Sequence, residues 1–504
     1  MYGAILLALT AGLTHSGNVI EVARVAAMRP DAPRLVLIGG LDGDPASARA
    51  VAAAVREAER TPASRRRFDL YAIALANPER AALVFPPKGV AYRENAEANY
   101  LWRWIAARAP DLVLIAGDDA GLSAALSTAP AAVPTPAAIP VAVPTRAAVP
   151  AAVPTPAAIP VLRFEGLRAI PRTIAKSETR REVERRLARS PRKAAEELAK
   201  VYGLELPQAV YIPAVAVMAR MRLGHVEDAE RLAAPFVTGA RDSLAKPSGS
   251  HLSGHLLFAE LAERTGKHEY AELARKAADL GFTPDGGMRE SMPMHDQMSD
   301  AVFMGTPILA RVGKLTGNRK YFDMALRHYR YMRALDLRPD GVWRNSPLND
   351  AAWGRGNAFP ALGVELALEA TPRDHPAHAE FLDAFRRHIA ALAPYQNEDG
   401  LWRQVIDRPG VYPEFTATAM IATAMLRAIR HGWLDERAYR PAVDRAWRTI
   451  NARIASDGVL FDVCEGTGKQ KTADDYLRRA AIWGRDPRGG AMALLFATEM
   501  AGLN

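Results

Sequence analysis

Cysteine occurs once in the 504 residues, at Cys464, so no disulfide can form within the chain and the redox compartment stays open. No run approaches the ~18–20 apolar residues that a membrane span requires. Residues 1–13 are apolar, but no Lys or Arg precedes them, which makes a poor secretory leader. A buried first strand or a misplaced start codon explains that run equally well, and the expected location is cytoplasmic or periplasmic. The G-x-G-x-x-G and H-E-x-x-H patterns are missing, which weakens dinucleotide and zinc-protease readings. Massed basic residues are scarce too. The formal charge is +9, from 65 basic against 56 acidic residues, but only Arg65–Arg67 and the 180–193 stretch concentrate it. Scattered charges of this kind read as solvated helix faces, so nucleic-acid binding is not expected. A mild positive field also suits an acidic substrate.

The chain is too long for one ordinary core, and its 49% hydrophobic and 24% charged content is that of soluble globular proteins. The expected fold is therefore multi-domain. Over residues 1–128, apolar runs at Arg34–Gly40, Phe68–Asn77 and Asp111–Gly117 read as strands. They alternate with helical spacing at Ala46–Glu59 and Glu94–Arg108, which implies an α/β domain with a parallel-type sheet. Residues 129–161 are almost entirely Ala, Pro, Val and Thr, and the decapeptide at 131–140 returns at 151–160. Such a segment is a semi-rigid, polyproline-like linker or an expanded loop. Residues 162–200 are expected to connect, with one charged helix over Ser177–Val201.

From 201 to 504 the pattern is helical and repetitive. Asp-Gly turns begin at Asp285, Asp340, Asp399 and Asp457, spaced by 55, 59 and 58 residues. That period fits one helical hairpin, and stacked hairpins share a core that none could build alone. The expectation is an all-α (α/α)6 toroid with these turns gathered at one end, where sites usually sit.

Within it, residues 285–359 hold the chemistry. Asp300 stands at the start of an apolar helical run, and Trp353-Gly354-Arg355-Gly356-Asn357 supplies an aromatic, a guanidinium and an amide. Such groups can hold an anionic sugar and move a proton on it. Each has a plainer reading. Asp300 could simply cap a helix. Trp353, Arg355 and Asn357 could form a Gly-rich turn with a core Trp. Glu414 could be a cleft contact or a helix N-terminal carboxylate. His251 and His255 share a helix face, and with His295 and Asp296 they could bind a metal, although separate core or polar histidines explain them better.

The motifs Ser299-Asp300-Ala301-Val302-Phe303-Met304-Gly305-Thr306-Pro307, Trp353–Asn357, Gly400–Val405, Glu414–Met420 and Asp486–Ala491 together resemble the unsaturated glycuronyl hydrolases, glycoside hydrolase families 88 and 105. The resemblance covers about three-fifths of the chain. It implies a six-hairpin barrel that hydrates the C4=C5 double bond of a terminal unsaturated uronic acid left by polysaccharide lyases, with no metal and no cofactor. In that chemistry Asp300 is the acid and then the base. Trp353, Arg355, Asn357, Arg344, Trp402, Arg403, Glu414 and His295 are the expected substrate contacts. The family's second Asp has no counterpart in Ser248–His255, and Arg344, Asn345 and Arg403 stand where family histidines follow the Asp-Gly turns. A carbohydrate-binding pseudoenzyme and a His-dependent sugar epimerase are the alternatives.

The first 128 residues resemble a zinc carboxypeptidase-like (M14-type) domain. Ser16–Ile20, the Gly39-Gly40 strand end, Asn77-Pro78, Phe85–Gly89 and Trp102–Trp104 carry that likeness. Asp42 and Pro45 replace the family's zinc-binding His and Glu, which implies a degenerate copy without peptidase activity. The oligomeric state is open.

Overall fold

The structure, a computed structural model, describes residues 9–127 and 159–503. It divides into two compact units. One comprises residues 1–188, 408–412 and 478–483; the other comprises 189–407, 413–477 and 484–504.

The first unit begins with a hairpin, β1 (Thr10–Leu13) and β2 (Val19–Glu21). A five-stranded sheet follows, built from β3 (Ala23–Val25), β4 (Arg34–Ile38), β5 (Asp69–Ile73), β6 (Leu112–Ile115) and β7 (Val161–Arg163). The order is β3-β5-β4-β6-β7, and every pairing is parallel except β3 with β5. Alternation along β4 sends Val36 and Ile38 to a core with Trp102 and Ile105 of α2 (Ala96–Arg108). Leu35 and Leu37 go to the opposite core, with Val51 and Ala54 of α1 (Pro45–Arg60). Helix α3 (Leu122–Ser127) precedes the undescribed stretch.

Two boundaries differ from the sequence reading. Most of the Ala/Pro repeat lies outside the described residues, but Ile159 is fully buried and Val161 already belongs to β7. Parallel pairing with β6 takes up that end of the repeat. The single helix expected over Ser177–Val201 is two: α4 (Glu178–Ala188) and α5 (Pro191–Ala199). Pro191 cannot donate a backbone hydrogen bond, so it starts a helix instead of continuing one, and Ser190 caps it by accepting from Lys193 N. The basic stretch is largely neutralised: Arg180 pairs with the buried Asp111, and Arg181, Arg185 and Arg186 pair with Glu178 and Glu182.

The second unit continues with α6 (Tyr211–Arg222), α7 (Val226–Val237), α8 (Gly249–Gly254), α9 (Leu256–Thr265), α10 (His268–Asp279), α11 (Ala301–Thr316) and α12 (Lys320–Asp336). Then come α13 (Gly354–Ala370), α14 (Pro376–Leu392), α15 (Phe415–Arg430), α16 (Glu436–Ala452), β8 (Leu460–Cys464), α17 (Ala473–Leu477) and α18 (Pro487–Met500). Helices α6, α9, α11, α13, α15 and α18 pack each on the next, and α18 closes back on α6. Each has an outer partner among α5, α7, α10, α12, α14 and α16. The inner helices are buried nearly all round and the outer ones on one side, as a double ring demands. Where α11 meets α13 the backbones nearly touch: a Cβ at Gly363 would stand 2.7 Å from the Phe303 Cα.

The four Asp-Gly turns are one structure repeated. Thr283, Arg338, Asn397 and Ala455 each donate their amide to the carbonyl four residues on. The glycines Gly286, Gly341, Gly400 and Gly458 all sit between φ 84° and 87°, a region that residues with a Cβ avoid. No described helix is long and apolar enough to cross a membrane.

Candidate active site

In the second unit a cavity of about 300 Å³ opens beside the first turn of α11. Its wall includes Asp300, His295, Asp296, Trp353, Arg355, Tyr211 and Arg488, with Met294, Met298, Met304 and Phe359 as apolar cover. Asp300 precedes α11, but its side chain caps nothing: no α11 amide beyond the adjoining Ala301 engages it. The carboxyl thus reaches the cavity while protein surrounds it. Burial first, and the neighbouring Asp296 second, push its pKa up from 3.8 to about 7. The Arg355 guanidinium and the Ala301 amide pull the other way without offsetting this.

The approach to Asp300 is tightly bent. Met294, Asp296 and Gln297 all have φ between 50° and 63°, which is uncommon for residues with a Cβ. Two bonds hold the turn: Gln297 N donates to His295 Nδ1 at 2.9 Å, and Met298 N donates to His295 O at 3.0 Å. His295 packs edge-on against Tyr331 and is held below its ordinary pKa by burial. Ser299 adds an anchor by donating its hydroxyl to Gly356 O at 2.7 Å, tying Asp300 to the start of α13.

Of the expected contacts, Asp300, His295, Trp353 and Arg355 share the cavity wall. Trp353 is only 2% exposed, and the Arg355 guanidinium lies over its ring at 4.7 Å, occupying a face expected to stack on sugar. Five others lie off the wall, each with a task of its own. Asn357 is fully buried and clamps backbone, accepting from Trp343 N at 2.7 Å and donating to Trp343 O and Trp353 O. Trp402 is core, its indole donating to Leu392 O. Glu414 caps α15 and also accepts from Thr416 and from Cys464 N at 2.9 Å, so its helix-start reading is the one realised. Arg344 binds Leu335 O and Asp350. Arg403 is 3% exposed, in a bridge with Pro413.

Residues 180–503 match the profile of Glycosyl Hydrolase Family 88. This chain belongs to that family. Among curated relatives, the unsaturated rhamnogalacturonyl hydrolase YesR of Bacillus subtilis is 26% identical over 273 residues, 49% of this chain and 75% of that one. An unsaturated 3S-rhamnoglycuronyl hydrolase of Alteromonas is 25% identical over 173 residues, 32% and 42% of the two chains. Among solved structures, a possible GH105 member from Klebsiella pneumoniae aligns with TM-score 0.52 at 25% identity, covering 66% of this chain and 95% of that one. One from Salmonella enterica gives 0.53 at 21% identity, covering 62% and 95%. The chain is thus a glycoside hydrolase with the helical toroid of family 88 and GH105 proteins, preceded by a small sheet.

Against that family frame, the segment around α8 contributes Ser248, Gly249 and Ser250 to the cavity, with no carboxylate among them. His251 turns back to Ser248, and His255 has both ring nitrogens engaged, by His251 O and Ser243 Oγ. Burial holds His255 down at about 4. Neither faces the cavity, and no group of metal-ligating side chains forms among the described residues. Tyr211 and Arg488 are among the wall residues to which sequence reasoning gave no role. The Asp486-Pro487-Arg488 motif had marked the second without giving it a role.

Proposed function

We propose that this family 88 chain hydrates the C4=C5 double bond of unsaturated uronic acids at the end of oligosaccharides released by polysaccharide lyases. One observation carries the reading: Asp300, a cavity carboxyl that caps no helix, is surrounded by protein and poised at about 7. A group with that pKa is populated in both forms near neutrality, so it can give a proton and then take one. Protonated Asp300 delivers its proton to C4 as the π bond opens. Water adds at C5 and surrenders its proton to the same carboxylate, which restores the acid. The resulting hemiketal collapses and releases the next sugar. Conventional glycosidases need two flanking carboxylates; this route needs one. Trp353, Arg355 and the 294–297 turn shape the subsite. The names of the relatives, which act on unsaturated rhamnogalacturonyl and rhamnoglycuronyl substrates, support the substrate class.

The test is ultraviolet absorbance of unsaturated disaccharides from pectin, rhamnogalacturonan, ulvan and glycosaminoglycans. Steady loss of the double-bond chromophore with wild type, absent in Asp300→Asn, is the expected outcome. Saccharide binding without any loss would favour the pseudoenzyme, for which the carboxylate-free Ser248–His255 segment speaks. Against the epimerase reading, neither His251 nor His255 lines the cavity, and both ring nitrogens of His255 are engaged inside the fold.

For the first unit we propose a role without peptidase chemistry. Asp44 caps α1, Asp42 braces that turn by accepting from Asp44 N, and Pro45 opens the helix, so the residues after Gly39-Gly40 serve a helix start.

A further inference from the structure

Two guanidinium groups reach the cavity, and their hydrogen bonds set them apart. Arg355 is committed. Its Nη1 donates to Cys464 O at 2.8 Å and to Thr416 Oγ1 at 3.3 Å, and its Nη2 donates to Glu465 O at 2.7 Å. The Glu414 carboxylate balances its charge from 3.8 Å. Turning Arg355 toward a ligand would break all three bonds and separate it from a buried counter-ion, which is costly.

Arg488, near the start of α18, is differently placed. Its Nη1 donates to the same Cys464 O at 3.0 Å, while Nε and Nη2 have no acceptor among the described residues. Its nearest carboxylate, Asp486, is 3.6 Å away and already caps α18 by accepting from Gly489 N at 2.7 Å. Gly466 leaves the Nη2 side open: a Cβ there would stand 3.5 Å from it. The Tyr211 hydroxyl, on the same wall, also makes no hydrogen bond among the described residues.

We propose that Arg488, assisted by the Tyr211 hydroxyl, grips the carboxylate of the substrate, and that Arg355 builds the wall instead of binding the ligand. The proposal rests on the uronide reading above. An open guanidinium edge matches a carboxylate with two charge-assisted bonds. The uronate carboxyl is attached to C5, so whatever grips it also sets where C4 falls relative to Asp300.

Calorimetry separates this from the reading it rests on. An unsaturated disaccharide and its methyl ester are titrated into Asp300→Asn and into Asp300→Asn/Arg488→Gln, full-length in both cases. Asp300→Asn is expected to prefer the acid by about ten- to a hundredfold, the range for hydrogen bonds to charged groups. Adding Arg488→Gln should collapse that ratio toward one while leaving ester affinity unchanged. Arg488→Lys, which keeps the charge without the planar fork, should fall between and guards against a misfolded Gln variant. A preference for the acid that survives Arg488→Gln, or no binding of the acid at all, overturns the proposal. If instead the acid preference depends on Arg488 but wild type turns nothing over, the hydration reading fails and the binding assignment stands.

Discussion

Asp300 carries a proton at pH values where an ordinary Asp has lost it, and two consequences follow. If protonated Asp300 starts the reaction, kcat/KM falls as pH rises through about 7, and Asp300→Asn has no such limb because it has no turnover. Stability moves in the same window. The unfolded carboxyl ionises near 4 and the folded one near 7, so the folded state holds the extra proton between them, and stability is lost as pH climbs from about 4 past 7. Asp300→Asn escapes that loss. Its thermal midpoint should match wild type at pH 4 and exceed it by about 4–8 °C at pH 8, since the two ionisations differ by about 4 kcal/mol and a unit this large shifts by roughly 1–2 °C per kcal/mol. Asp336 behaves alike. It is fully buried, neither oxygen has a hydrogen-bond partner among the described residues, and burial pushes it up to about 8. The Arg344 Nε lies 4.0 Å away, and Asp300 adds repulsion. Arg344, expected at the sugar, therefore acts on this buried acid.

At the scale of elements, the repeated turns were legible because Asp-Gly at helical-hairpin spacing has a local cause: the glycine φ near 85° that all four share. The helices that follow were legible from apolar spacing. Sequence could not show which way a polar side chain turns at a crowded turn. Asn357 reads as a hydroxyl ligand beside Trp and Arg, yet it joins the Trp343 turn to the start of α13 through three buried hydrogen bonds. Asn357→Ala should therefore lower the thermal midpoint by about 5–10 °C, the effect of stranding buried backbone groups worth ~1–3 kcal/mol each. Calorimetric scans check this; an unchanged midpoint would return Asn357 to the ligand.

At the scale of the whole molecule, ring closure decides what sequence conceals. Packing α18 on α6 brings Arg488 and Tyr211, 277 positions apart, to one wall, and no local pattern announces such a meeting. The same closure gathers charges inside the ring. Arg427 bonds Glu365, Glu369 and Glu499 from α15 to α13 and α18, and Glu499 also pairs with Arg222 of α6 and Arg430. Glu365 sits at about 7 because burial outweighs Arg427. Arg427→Met should cost about 3–5 kcal/mol, the effect of breaking buried ion pairs. The loss should be larger at pH 8 than at pH 5, where Glu365 is neutral. Melts at the two pH values test it, and an equal loss at both would contradict this account of the network.

The central claim, hydration through Asp300, is tested most directly by running the reaction on an unsaturated disaccharide in deuterium oxide and reading the product by NMR. The account predicts one deuterium at C4, no remaining C4=C5 double bond, and no product with Asp300→Asn. A released sugar acid that keeps its double bond, or product formed at near-normal rate by Asp300→Asn, would contradict it.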